Sequence, residues 1–247
     1  MDQSNNSGAE HYRPSDIEWE LFHDPHGRPT TPVRMLKTDG PSFLETKFEP
    51  HFEIGHHWHP FDTLYIIMDG NMTIGPEGNF EPGDIRWIKA GHHYGPEISG
   101  ENGVRFFLMA FGDEIGLNWA DMYETPDDLA KRLEQFPQAW GRQNMADAPA
   151  SELAPGCQIR TLSADNPYIH LVQIEPGGTL PAHHHDVGTY ALLYKGTLEV
   201  EGEGAFNTED SRWAPKGHIT AGTTAGAEGA EVIVIGIDGM PNFQFEG

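Results

Sequence analysis

Two imidazoles one residue apart, His57 and His59, stand just ahead of the apolar run Leu64–Met68. Residues two apart on a β-strand face the same side, so these rings project together. Paired neutral imidazoles are a common beginning of a transition-metal site. The pattern returns at His183-His184-His185, and each copy is followed at the same distances by a threonine (Thr63, Thr189) and a glycine (Gly70, Gly196). Further along, His92 and His218 also occupy matching places. With the adjacent His56 and His93, nine of the fourteen histidines fall in these clusters, too strong a concentration for scattered surface decoration. His57 and His59, with His183 and His185, are therefore candidate metal ligands.

The elements that must carry these groups read as short strands. From Trp19 onward, apolar runs alternate with Pro25, Gly27, Pro29, Pro32, Gly40 and Pro41, as in a sandwich or barrel. Strands are expected at Phe43–Phe48, Leu64–Met68, Arg86–Ile88 and Val104–Phe111. The segment 113–154 differs. Thr125-Pro126-Asp127-Asp128 supplies a helix cap, and Leu129, Leu133 and Phe136 follow at helical spacing before Pro137. Residues 1–16 are polar and read as a loose arm.

Shifting the sequence by 126 residues lays one half on the other without a gap, from about Pro29/Pro155 to Phe111/Ile237. Identical pairs include Arg34/Arg160, His57/His183, His59/His185, Gly70/Gly196, Arg86/Arg212, Trp87/Trp213 and His92/His218. Two copies of one β-domain explain this economically: 17–112 and 155–247, with 113–154 as a short helical linker.

Composition narrows the functions. Fifteen basic against 38 acidic residues give a net charge of −23, which repels nucleic-acid backbones and anionic membranes. Cys157 is the single cysteine, as suits a reducing compartment. No run of about 18 apolar residues offers a membrane span. Met1–Asn6 lacks the basic start and apolar centre of a signal peptide, so a cytoplasmic protein is expected.

With these residues in view, the chain resembles the cupin superfamily, and specifically a bicupin. His57, His59 and Gly70 fit the first cupin motif, as do His183, His185 and Gly196. Gly83-Asp84 through Lys89-Ala90-Gly91, and Pro215-Lys216-Gly217, fit the second. The resemblance implies an all-β protein of two tandem jelly-roll barrels, each with a metal inside. Two departures stand out. Thr63 and Thr189 occupy the family's glutamate position, and Tyr94 and Thr220 the position of its last histidine. Counting two residues back along a strand nominates His92 and His218 as replacements. A three-histidine centre leaves the cation's charge uncancelled and favours a bidentate anionic oxygen ligand. The resemblance to three-His dioxygenases acting on diketones and dihydroxyacetophenone then implies Fe(II), molecular oxygen and a small diketone, enol or phenolic substrate. Zn, Mn or Ni are the alternative metals, and a lyase, isomerase or cyclase, or a non-catalytic binding protein, the alternative functions. A homodimer is expected. Tyr94 and Thr63 are the expected catalytic side chains, and the surroundings Tyr65, His93, Tyr94 and Glu97 favour the first site for chemistry. His56, His93 and His184 are out of phase and expected outside the site, Asp62 is a candidate to orient a ligand histidine, and Arg86 and Arg212 are expected to be structural.

Overall fold

The computed structural model describes residues 8–24, 27, 29–113, 115–119, 125–135 and 139–247. The described residues lie mainly in strands, with little helix, as the all-β expectation requires. Among the described residues no helix is long and apolar enough to cross a membrane. The chain divides into two compact units. One is Pro14–Ala146; the other joins residues up to Arg13 to Asp147–Gly247.

The Pro14–Ala146 unit carries a nine-stranded sheet. Seven of its strands run in the order Trp140–Asn144, Asp84–Ile88, Thr63–Ile74, Glu97–Ala110, Ser42–Phe48, Pro29–Lys37, Glu20–His23, with Glu53–Ile54 added to Glu97–Ala110 and Gly78–Phe80 to Thr63–Ile74, all antiparallel. Alternation along the strands builds the interior: Val104, Phe106, Leu108 and Ala110 meet Leu44, Phe48, Tyr65 and Ile67 in one apolar cluster. Phe43 and Phe107 point to the opposite face and stack at 5.3 Å. Gly70 has φ +68°, and a Cβ there would lie 2.1 Å from the Gly103 carbonyl oxygen. A side chain is excluded by both backbone conformation and space.

The second unit repeats this order with Glu10–Tyr12, Ser211–Ala214, Gly188–Val200, Thr223–Ile237, Tyr168–Ile174, Cys157–Ser163 and Ala150–Ala154. Gly196, at φ +84° and with a Cβ position 2.0 Å from the Gly229 carbonyl oxygen, repeats the crowded glycine.

Two segments differ from expectation. Residues 10–12 are not a loose arm, because Glu10–Tyr12 pairs with Ser211–Ala214 and His11 Nε2 lies 2.7 Å from Glu203. Within 113–154, read as a linker, Trp140–Asn144 bonds to Asp84–Ile88 and Ala150–Ala154 to Cys157–Ser163, each inside a sheet. The helix spans Pro126–Gln135, and Thr125 caps it by accepting from the Asp128 amide at 3.2 Å. Phe136 and Pro137 lie outside the described residues.

Candidate active site

His57 opens the short strand His57–Trp58, which pairs with Asn118–Trp119. His57 and His59 are both buried, with ring centroids 5.5 Å apart. Each is locked through Nδ1 by a backbone carbonyl: His57 donates to Gly55 O at 2.8 Å, and His59 to Gly116 O at 2.5 Å and Ile115 O at 3.1 Å. The proton is thereby fixed on Nδ1 and the Nε2 lone pair left for other work. His59 Nε2 is buried without a hydrogen-bond partner. Burial, with the neighbouring His59, holds the His57 pKa well below its usual value, and burial holds His59 at about 4. Both rings are therefore neutral at physiological pH. Asp62 does not orient them. It binds Lys89 Nζ and the Ala90 amide, both at 2.8 Å.

His92 does not join this pair. Its ring runs parallel to that of Tyr94 at 6.0 Å, and its Nε2 lies 3.5 Å from Glu77. Glu77 in turn grips the fully buried Arg86 through bonds of 2.5 and 2.7 Å. Burial opposes ionisation of Glu77, but Arg86 and His92 more than offset it and hold the carboxyl below its usual pKa. The second unit repeats the cluster, with Arg212 forked onto Glu203 and His218 3.7 Å from the same carboxylate. The shared histidine offset thus belongs to a His–Glu–Arg cluster, which also gives the two arginines the structural place expected of them. Among the described residues no three His, Cys, Asp or Glu side chains are grouped to hold a metal. The proposed trios His57–His59–His92 and His183–His185–His218 are not assembled.

The parity count fails for a local reason. Lys89–Gly91 forms a turn, closed by His92 N to Lys89 O at 3.0 Å with Gly91 at φ +76°, so no straight strand links His92 to Tyr94. The chain regains pairing at Tyr94, which forms a bridge with His57. Tyr94 Oη then lies 2.8 Å from His57 Nε2 and 2.6 Å from Tyr65 Oη.

Glu97 completes a buried series. Its carboxyl is hydrogen-bonded to Tyr65, lines the same cavity of about 50 Å³ as His57, His59 and Tyr65, and leaves Oε1 unpartnered. The tautomer of His57 sets the direction of the series. Nε2 must accept, so Tyr94 donates to it, and Tyr65 donates to Tyr94. Burial raises the Glu97 pKa to about 7, although Arg86 and the hydrogen bond with Tyr65 pull it down. Burial also pushes both phenols well above their usual range. The Arg86 guanidinium stacks over Tyr94 at 4.2 Å and Tyr65 at 5.1 Å.

Thr63 is buried, and its hydroxyl has no hydrogen-bond partner. It is not among the side chains lining the cavity. His56 and His93 stack on each other at 5.7 Å, and His184 meets Glu246 at 2.7 Å.

Residues 115–119 were missed as part of the site. Their counterparts are 241–245: Gln244–Phe245 pairs with His183–His184, and Asn242 O accepts from His185 Nδ1 at 3.0 Å. The repeat therefore runs on to Trp119/Phe245. The faint signal was Leu117-Asn118-Trp119 against Phe243-Gln244-Phe245, an apolar residue, an amide and an aromatic in both copies.

The residues fit a bound cation in the Pro14–Ala146 unit. His59 Nε2 is a buried lone pair without a partner, and His57 Nε2 and Tyr94 Oη, 2.8 Å apart across a hydrogen bond, are two further donors a cation could engage once that proton is displaced.

No protein-family profile matches the chain, and no curated protein sequence does. Solved structures do. A "putative dioxygenase" from Nostoc punctiforme superposes with a TM-score of 0.72 at 15% identity, over 97% of this chain and 87% of its own. Oxalate decarboxylase from Bacillus subtilis gives 0.68 at 14%, over 95% and 77%. A tryptophan-to-tyrosine variant of that enzyme gives 0.68 at 13%, over 95% and 78%. Both proteins have the cupin fold, and at these identities the likeness establishes the fold.

Proposed function

We propose that the Pro14–Ala146 unit is the active centre of a metal-dependent cupin enzyme that transfers a proton on a small oxygenated compound. The diketones, enols and phenols expected from the sequence suit it. The observation that carries this reading is Glu97, a buried carboxyl with a free oxygen in the cavity that also holds the imidazole pair. His57, His59 and Tyr94 would hold the cation, which supplies Lewis acidity toward substrate oxygens. Glu97 has a pKa matched to neutral pH, so it gives or takes a proton at a substrate bound against Oε1. Tyr65 fixes that carboxyl, and the apolar wall of Val33, Leu44, Phe106 and Leu108 keeps water out. Arg86, its charge met by Glu77, lies over the rings of both phenols.

A dioxygenase using Fe(II) and molecular oxygen is the second reading, favoured by the likeness to the Nostoc protein. Tyr94 in place of a third histidine weakens it, since a phenolate ligand cancels charge that would attract an anionic substrate. Metal analysis of the purified protein, followed by turnover with Zn(II) and Fe(II) on an oxygen electrode, separates the two. Turnover with zinc and no oxygen uptake is the expected result. Turnover only with iron, matched by oxygen consumption, would replace proton transfer with oxygenation.

A further inference from the structure

The second unit keeps the imidazole pair and loses the acid series. His183 and His185 stand 5.3 Å apart, their Nδ1 protons donated to Pro181 O at 2.8 Å and Asn242 O at 3.0 Å. Ala191, Thr220 and Thr223 stand where Tyr65, Tyr94 and Glu97 stand in the other unit. Removing two phenols and a carboxyl opens the interior to a cavity of about 80 Å³, against about 50 Å³. Val172, Leu193, Val200, Val232, Val234 and Phe243 make most of its wall apolar.

The polar end has a definite character. With each Nδ1 proton committed to a backbone carbonyl, the imidazoles offer Nε2 as acceptors. The lining cation, Arg212, is spent on Glu203 at 2.6 and 2.7 Å and on Thr220 Oγ1 at 3.2 Å. Among the described lining residues no free positive charge is left for an anion. Thr220, which replaces the phenol beside the pair, accepts from Arg212 through its hydroxyl oxygen, and the lining carboxylate of Asp210 accepts from the Asn207 amide at 2.8 Å.

We propose that this cavity is a second binding site, for a compact neutral molecule with an apolar body and one hydroxyl donor, such as a small alcohol or phenol. The hydroxyl donates to an imidazole Nε2, and the body lies among the valines. The smaller side chains at three repeat positions provide the room, and the retained histidines provide the recognition. The site is independent of the proton-transfer reading for the other unit.

The test uses the full chain, methyl-labelled and treated with chelator, titrated with phenol, anisole and benzoate by NMR. Phenol should shift the methyls of Val172, Val200, Val232 and Val234, and bind at least tenfold more tightly than anisole or benzoate. Ala191→Tyr, which restores the bulk of the other unit, should weaken phenol at least tenfold. If that variant does not fold, Ala191→Leu serves, with the same expected loss. Shifts confined to Val33, Leu44 and Leu108, anisole binding equal to phenol, loss of phenol binding on chelation, or no binding at all would each overturn the proposal.

Discussion

Replacing Glu97 with Gln tests the protonation state on which the site's chemistry turns. The carboxyl ionises at 4.5 when exposed and at about 7 in the fold, because burial disfavours the charge. A raised folded pKa means that below pH 4.5 both states hold the proton and no penalty exists. Between pH 4.5 and 7 the unfolded chain releases it and the folded chain does not, so stability falls as pH rises. At 1.36 kcal/mol per pKa unit the full loss is about 3 kcal/mol, an upper limit reached just above pH 7. Glu97→Gln is isosteric and cannot ionise, so its stability relative to wild type should rise by up to about 3 kcal/mol between pH 4.5 and 8. Urea unfolding of chelator-treated wild type and variant across that range measures the difference, and effects of other titrating groups cancel in it. A difference independent of pH would mean that burial does not hold the proton on Glu97 in the fold. The variant should also lose turnover, making a group that costs stability at neutral pH the one that works there.

Acid should act in the opposite sense on the imidazole pair. His59, lowered from 6.5 to about 4, contributes stability that is present above pH 6.5 and lost as pH falls toward 4, and His59→Gln should remove up to about 3 kcal/mol of that acid sensitivity in denaturant titrations. His57→Ala should abolish metal uptake by elemental analysis, whereas His92→Gln should leave the metal content unchanged. Glu77→Ala strands the buried Arg86 guanidinium and should cost about 3–5 kcal/mol in urea unfolding. Gly70→Ala, which drives a methyl against the Gly103 carbonyl, should cost roughly 1–3 kcal/mol by the same measurement.

The repeat and the short apolar runs carried the fold plainly, because a buried strand face forces alternation and a duplicated strand order forces duplicated patterns. The histidine pairs were legible for the same reason: His57 and His59 differ by one strand period. His92 was misread because a period holds only while the strand does, and the turn at Lys89–Gly91 resets the count. Tyr94 and Glu97 were visible as residue types, but their joining through Tyr65 depends on contacts between separate strands that no local spacing encodes. The carbonyls of Ile115 and Gly116, which fix the tautomer of His59, are backbone groups and leave almost no mark in side-chain identity.

Glu10–Tyr12 leaves the ribosome long before its partner, Ser211–Ala214. Until that partner is made, the early strand has no sheet to join, and the late sheet is incomplete without it. A chain shortened to begin after Arg13 would expose the backbone donors and acceptors of Ser211–Ala214 along an open edge. Such an edge is a template for strand addition from another molecule. Loss of a few residues in one part of the sequence would then surface as self-association through a strand encoded in a distant one.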